Sequence, residues 1–178
     1  MMMTVSLYAA DNEIYLDQSG VTLNLDIEQL GISNIIGGLN SAAGSLTAFD
    51  IDGTSMTIDI NMIGNTNKFL GDIWADSFTA LYNFTGNSNT FTIQVDPSNT
   101  FGAATNYMDI DGSDNTVNYT GTGVSASAGG YFWLDHTGGQ RTFNIQQLST
   151  QDNDWLKVIS VGGNAASTVC IIQNDQGT

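Results

Sequence analysis

Oxygen ligands are the one kind of site chemistry that the sequence offers in quantity. The stretch DIDGSDN sets Asp109, Asp111 and Asp114, with the Asn115 amide, around Gly112. Calcium binds in such oxygen-rich loops, so these three aspartates are the calcium candidates. The loop lacks the distal Glu of an EF-hand, and the same residues describe a polar β-turn on a solvated acidic face. A wider set, Asp17, Asp50, Asn83, Asp109 and Asp135, recurs three residues before successive glycines. If stacked in register, these side chains would sit at strand spacing. Like charges there destabilise one another unless solvent, salt or cations screen them.

Other chemistries lack their residues. Cys170 is the single cysteine and His136 the single histidine, which leaves no disulfide framework, no cysteine metal cluster and no pair of histidines for zinc. No two carboxylates have the separated environments that glycoside hydrolysis needs. No catalytic residue and no cofactor-binding residue is therefore assigned, and the chain is expected not to be an enzyme. The threonines at 57, 90, 116, 142 and 168, in line with Asn24, suggest a flat ladder of the ice-binding kind. The column beside them (Asp26, Asp59, Thr92, Asn118, Asn144, Cys170) is chemically mixed, and threonine also simply suits an exposed strand face. Trp74, Trp133 and Trp155 are read as strand or loop anchors rather than as sugar platforms.

The charge balance narrows the partners. Among 178 residues, 18 are acidic and only Lys68, Arg141 and Lys157 are basic, for a net charge of −15. Such a chain repels phosphate backbones and anionic headgroups, so neither nucleic acid nor a membrane surface is an expected partner. Basic protein surfaces and cations suit it better. No apolar run reaches the roughly 20 residues of a membrane-spanning helix. The opening MMMTVSLYAADNE shows neither a basic n-region nor a signal-length apolar stretch, which points to a protein not exported by the usual bacterial route.

What would position any of these residues is a repeat. Gly20, Gly53 and Gly86 are spaced by 33 residues, as are Gly31, Gly64 and Pro97. Gly112 and Gly138 then follow Gly86 at steps of 26, a step shared by Thr90-Phe91, Thr116-Val117, Thr142-Phe143 and Thr168-Val169. Between these corners the residues alternate apolar and polar, the mark of strands with one buried face. Four residues before the corner stand Leu16, Phe49, Tyr82, Met108 and Leu134. Five residues after it come Leu25, Ile58, Phe91, Val117, Phe143 and Val169, and seven after it Ile27, Ile60, Ile93, Tyr119, Ile145 and Ile171. These columns are expected to face inward and form the core. The fold they predict is all-β, a β-solenoid of about six rungs. Its N-terminal half is expected to be three-sided, with sides of about 11 residues, and the third side to shorten later. Residues 1–12 are expected to form a cap or docking arm, and 13–178 the repeat domain. The competing fold, an antiparallel sandwich of short strands, does not require repeats in fixed register.

The segment Gln29-x-Gly31-x-x-Asn34 resembles the curlin repeat of bacterial curli subunits, whose two-sided strand–turn–strand rungs stack into fibres. Gly64-x-x-Asn67, Gly86-x-x-Asn89 and Gly112-x-x-Asn115 keep the Gly and Asn but lose the Gln. The opening IYLDQSGVTLNLDIEQLG is similar to a group of curlin-like repeat proteins encoded by tailed bacteriophages, notably those of marine cyanobacteria. The resemblance spans about residues 13–120 and implies a virion structural protein. It transfers no catalytic residue. The expected function is thus a non-catalytic capsid decoration, cement or fibre-type subunit, assembled in the host cytoplasm and located on the virion. Its partners would be other virion proteins and itself, as a homo-oligomer or an end-stacked assembly. The alternatives are a self-assembling curli-like extracellular filament subunit and, more weakly, an ice- or calcium-binding solenoid.

Overall fold

The computed structural model describes residues 2–8, 12–38, 49–95, 104–123, 130–149, 155–162 and 167–175. The chain alternates between two facing sheets. β1 (Met2–Tyr8) lies in the first sheet, and β2 (Glu13–Ile14) and β3 (Leu16–Val21) in the second. β4 (Asn24–Leu30) returns to the first sheet, and β5 (Ile35–Ile36) and β6 (Phe49–Thr54) go back to the second. From there the alternation is one strand per sheet. β7 (Thr57–Ile63), β9 (Phe78–Thr85), β11 (Ala104–Asp111), β13 (Gly130–Thr137) and β15 (Trp155–Val161) join the first. β8 (Lys68–Asp76), β10 (Thr90–Val95), β12 (Asn115–Gly123), β14 (Arg141–Ser149) and β16 (Thr168–Asp175) join the second. Every pairing is parallel, and together they make a β-solenoid of about five turns.

Alternation places the core between the sheets. β9, β11 and β13 each bury every second residue, as strands with one inward face must. Aromatic rings span the gap: Phe84 stacks on Phe91 at 3.8 Å, and Tyr119 on Phe132 at 3.8 Å between centroids. A single rung cannot bury its own apolar face, so each depends on the rungs above and below.

The rungs differ from expectation in register. The 33-residue rung does contain three strands, β4, β5 and β6, but the last two share one sheet with β8, which pairs with both. The later rungs have one strand per sheet, so Thr57 pairs with Thr79, 22 residues on, and Phe78 pairs with Ala104, 26 on. Two corner columns result. Gly20 and Gly53 stack at one corner, while Gly31, Gly64, Gly86, Gly112 and Gly138 stack at the other. Gly86 is therefore not the partner of Gly53, although 33 residues separate them. With sides of eleven residues, three sides carry a two-sheet coil from one corner to the opposite one. Pro97 lies outside the described residues.

The inward columns divide accordingly. Leu16 stacks on Phe49 in the second sheet; Tyr82, Met108 and Leu134 continue Ile60 in the first. The column expected to run unbroken from Leu25 through Ile58 to Phe91 is split between the sheets, and so is the one from Ile27 through Ile60 to Ile93 and Ile145. Leu25 pairs with Ile58, and Ile27 with Ile60, in the first sheet. Phe91, Val117, Phe143 and Val169 stack in the second, and beside them Ile93, Tyr119, Ile145 and Ile171. Ile93 therefore continues Gly71 of β8, not Ile60. The split is a correction of register alone: Ile27, Ile93 and Ile145 are all buried, as an inward position requires.

Of all these inward residues, only three at the ends are not buried. Leu16 is half-buried, and Val169 and Ile171 are 49% and 45% exposed, because β16 ends its sheet and no further rung covers it. Residues 2–8, within the stretch expected to form a cap or docking arm, form β1, the end strand of the first sheet, in register with β4 from Met2↔Asn24 to Tyr8↔Leu30.

The corner glycines are fixed by space as well as by angle. Gly86 has φ +133°, and a Cβ there would overlap the carbonyl oxygen of Gly64. Gly20 has a similar φ of +147°, but at the open end its Cβ would meet nothing closer than 4.0 Å. Gly86→Ala is predicted to destabilise the protein by at least about 3 kcal/mol in urea unfolding, through steric overlap added to backbone strain. Gly20→Ala, which adds the strain alone, is predicted to have a clearly smaller effect.

Candidate functional site

The polar residues of the corners are held by one another. At the corners of Gly31, Gly64, Gly86 and Gly112, the residue two positions after the glycine takes a left-handed conformation: Ser33 (φ 58°), Thr66 (59°), Ser88 (58°) and Asp114 (60°). The asparagine that follows turns inward and accepts from the backbone of the rung before it. Asn34 N–H donates to Asn67 Oδ1 at 2.9 Å, Asn67 N–H to Asn89 Oδ1 at 2.8 Å, and Asn89 N–H to Asn115 Oδ1 at 2.9 Å. All four asparagines are buried. A second ladder runs along the rim: Asn87 N–H donates to Asn65 Oδ1, Ser113 N–H to Asn87 Oδ1, and Gly139 N–H to Ser113 Oγ. Arg141 stands where the next asparagine would be. Its guanidinium donates to the carbonyls of Gly139 (3.2 Å) and Gly162 (2.9 Å).

These ladders bear on the calcium candidates through Asn115. The Asn115 oxygen is already occupied by the Asn89 N–H. Asp109 is half-buried within β11, Asp111 is exposed at its end, and Asp114 is exposed beyond Gly112, where the chain has turned towards the other sheet. The structure does not gather the three. Among the described residues, no group of three or more His, Cys, Asp or Glu side chains is placed to hold a metal ion.

The wider acidic column also separates into two. Asp17, Asp50 and Asp72 stack in register through β3, β6 and β8 of the second sheet. Asn83, Asp109 and Asp135 stack in the first sheet, where Asn83 donates to Asn61 Oδ1 at 2.9 Å. Asp50 is only 2% exposed, and its Oδ1 has no hydrogen-bond partner among the described residues. Burial, followed by the charges of Asp52, Asp72 and Asp17, pushes its pKa up to about 6. Burial also raises Asp72, against the hydrogen bond it receives from Trp74 Nε1 at 3.1 Å. Asp52, Asp59 and Asp109 are raised too, by burial first and then by neighbouring aspartates.

His136 is buried in the inward column between Ile110 and Ser160. Its Nε2 lies 3.1 Å from the Gly112 carbonyl, which can only accept, so Nε2 carries the proton and Nδ1 accepts from Ser160 Oγ at 3.0 Å. Burial lowers its pKa and favours this neutral form. Of the threonine column, Thr90, Thr116, Thr142 and Thr168 do stack in register on the second sheet. Thr57 belongs to the first sheet, beside Thr79. In the adjoining column, Asn144 donates to Asn118 Oδ1 at 2.9 Å and Asn118 to Thr92 Oγ1 at 3.3 Å, and the column ends at the exposed Cys170.

Sequence reasoning missed one surface. Tyr107, Tyr131, Trp133 and Trp155 share the outer face of the first sheet across β11, β13 and β15. The available signal was their outward position in the alternation, which only the 24- to 26-residue register brings into line. No family model, characterised protein or solved structure matches the chain.

Two outcomes follow. Asn89→Ala strands the buried Asn67 N–H and is predicted to lower stability by about 1–3 kcal/mol in urea unfolding. The second concerns pH. A carboxyl whose folded pKa exceeds its unfolded value binds more protons when folded, so stability falls as pH rises through that window. For Asp50 the window runs from 3.8 to about 6. Asp52, Asp59, Asp72 and Asp109 act in the same direction. His136 opposes them: its folded pKa lies below 6.5, so its stabilisation is lost as pH falls below that value. With five carboxyls against one imidazole, the melting temperature is predicted to rise between pH 7.5 and pH 5. Asp50→Asn is predicted to raise it at pH 7.5 and to flatten the rise.

Proposed function

We propose that this chain is a non-catalytic structural subunit of a phage virion, a capsid decoration, cement or fibre-type component built as a rigid repeat scaffold. One observation carries this reading. The corner side chains are spent on the scaffold itself, in asparagine and serine ladders that tie successive rungs together. Such a body suits a load-carrying spacer with regular faces. The net charge of −15 suits docking on a basic lattice and keeps copies apart in solution. The similarity of IYLDQSGVTLNLDIEQLG to phage-encoded repeat proteins supports the same class.

A second reading, a self-assembling filament subunit of curli type, draws on a separate observation. The 22-residue rung with one strand per sheet and Gly-x-x-Asn corners has the two-sided plan of curlin rungs. The last rung leaves Val169, Ile171 and Ile172 exposed, as an end awaiting a partner would.

Quantitative mass spectrometry of purified phage particles separates the two. The virion reading predicts this chain at a fixed, multiple copy number per particle; its absence from particles rules that reading out. Filaments grown from purified protein alone, together with that absence, would establish the second reading.

A further inference from the structure

The outer face of the first sheet changes character along the solenoid. In one outward column, Asn24, Thr57, Thr79 and Thr105 give way to Tyr131 and Trp155. In the next, Asp26 and Asp59 give way, through Leu81, to Tyr107 and Trp133. The same backbone is built with polar residues in the early rungs, so folding does not require rings at these positions. Four aromatic side chains on one outer face is a departure that the scaffold leaves unexplained.

Their geometry is that of a strip of rings packed edge to face or tilted against one another. Tyr107 and Trp133 lie 5.3 Å apart edge to face, Trp133 and Trp155 5.9 Å, and Tyr131 and Trp155 6.2 Å between centroids. Tyr131 and Trp155 are each 42% exposed. Lys157 Nζ lies 3.6 Å from the centroid of the Trp133 ring and covers it, so Trp133 acts as the anchored base of the strip. Next to Tyr107 and Trp133, and four residues or about 13 Å along the strand from Tyr131, stand two acceptors, Asp109 and Asp135, paired in register and both half-exposed.

We infer that this strip binds a neutral polysaccharide lying along the strands, with sugar rings stacked on Tyr131 and Trp155 at one end and hydroxyls of sugars farther along the chain donating to Asp109 and Asp135. The occupant must offer flat apolar faces and, at its edges, hydrogen-bond donors. Sugar rings do both, with C–H groups on the faces and hydroxyls around the rim. Single-stranded nucleic acid also stacks on aromatic platforms, but it needs a basic groove for its phosphates. Here a single lysine, Lys157, lies among the rings, 3.6 Å from Trp133 and 5.9 Å from Trp155; one lysine is no basic groove, the next column is acidic, and the chain carries only three basic residues. The same carboxylates turn away acidic polysaccharides.

The test uses the full chain and a set of stated probes. Dextran, a β-1,3-glucan and a galactomannan serve as soluble neutral glycans, and cellulose and chitin as insoluble ones. Alginate tests an anionic glycan, and polylysine a basic surface. Binding is read by tryptophan fluorescence and by co-sedimentation, with Tyr131→Ala and Trp155→Ala as variants. Both side chains are partly exposed, and the melting temperature of each variant checks its fold. Trp155→Phe, which keeps a ring, is the second control. Retention of at least one neutral glycan, weakened about tenfold or more in each alanine variant and largely kept in Trp155→Phe, with no binding of alginate, supports the inference. It is overturned if none of the five neutral glycans binds, or if binding is unchanged in the variants. Aromatic-dependent binding of polylysine instead would make the strip a protein-docking face. Self-association abolished by Trp155→Ala would make it an interface between copies. Either result also overturns the inference.

Discussion

The close approach of glycine backbones at one corner is the constraint on which the rest of this solenoid depends. At Gly64, Gly86, Gly112 and Gly138, the carbonyl oxygen of the glycine one rung earlier occupies the space that a Cβ would need. The glycine N–H is spent on pairing with a neighbouring rung, as from Gly86 to the Asp111 carbonyl at 2.8 Å. A corner this tight fixes where each strand starts, and hence which residue lies beside which along both sheets. The asparagine three residues later completes the lock by supplying a side-chain acceptor to a backbone donor that the turn would otherwise leave buried and unpaired. Core packing then follows from the register. Phe84 meets Phe91 because they flank the same corner on facing sheets.

Strict register has an electrostatic consequence. Identical side chains come to lie one strand spacing apart, which suits groups that both donate and accept. Asn118 and Asn144 make a ladder of it. Carboxylates cannot, so Asp50, stacked between Asp17 and Asp72, has its proton affinity raised by burial first and by the charges of Asp52, Asp72 and Asp17 after it. An acidic solenoid with few cations to offset its columns is therefore under a tension that mild acid relieves. At the Arg141 corner, where the asparagine ladder stops, a guanidinium donates instead to two backbone carbonyls.

The solenoid itself was legible because glycine spacing and two-residue alternation are local signals that stacking requires. The register was not, for a geometric reason. Gly53 and Gly86 look equivalent in a string of letters, yet they sit at opposite corners, and only the pairing of Thr57 with Thr79 separates the two cases. The inward residues were nevertheless identifiable, since Tyr82, Ile93 or Ile145 faces the core whichever corner it is counted from. The acidic and threonine columns fared worse. Residues from two different faces were aligned as one, which joined Asp50 to Asn83 and Thr57 to Thr90. The calcium reading of Asp109, Asp111 and Asp114 could not take into account that the Asn115 oxygen belongs to the corner lock. The aromatic strip was hidden because its members are 24 or 26 residues apart and become neighbours only once the rungs are stacked.

The register can be tested by a pair of engineered disulfides in a Cys170→Ser background. Neighbouring parallel strands hold paired Cα atoms about 4.8 Å apart, within reach of a disulfide. Thr57→Cys with Thr79→Cys joins residues paired across β7 and β9. Thr57→Cys with Thr90→Cys joins residues 33 apart that lie in different sheets. Under mild oxidation of the folded protein, the first pair is predicted to close within the monomer and the second to remain reduced. Ready closure of the 57–90 pair with an open 57–79 pair would contradict the two-sheet, corner-locked coil.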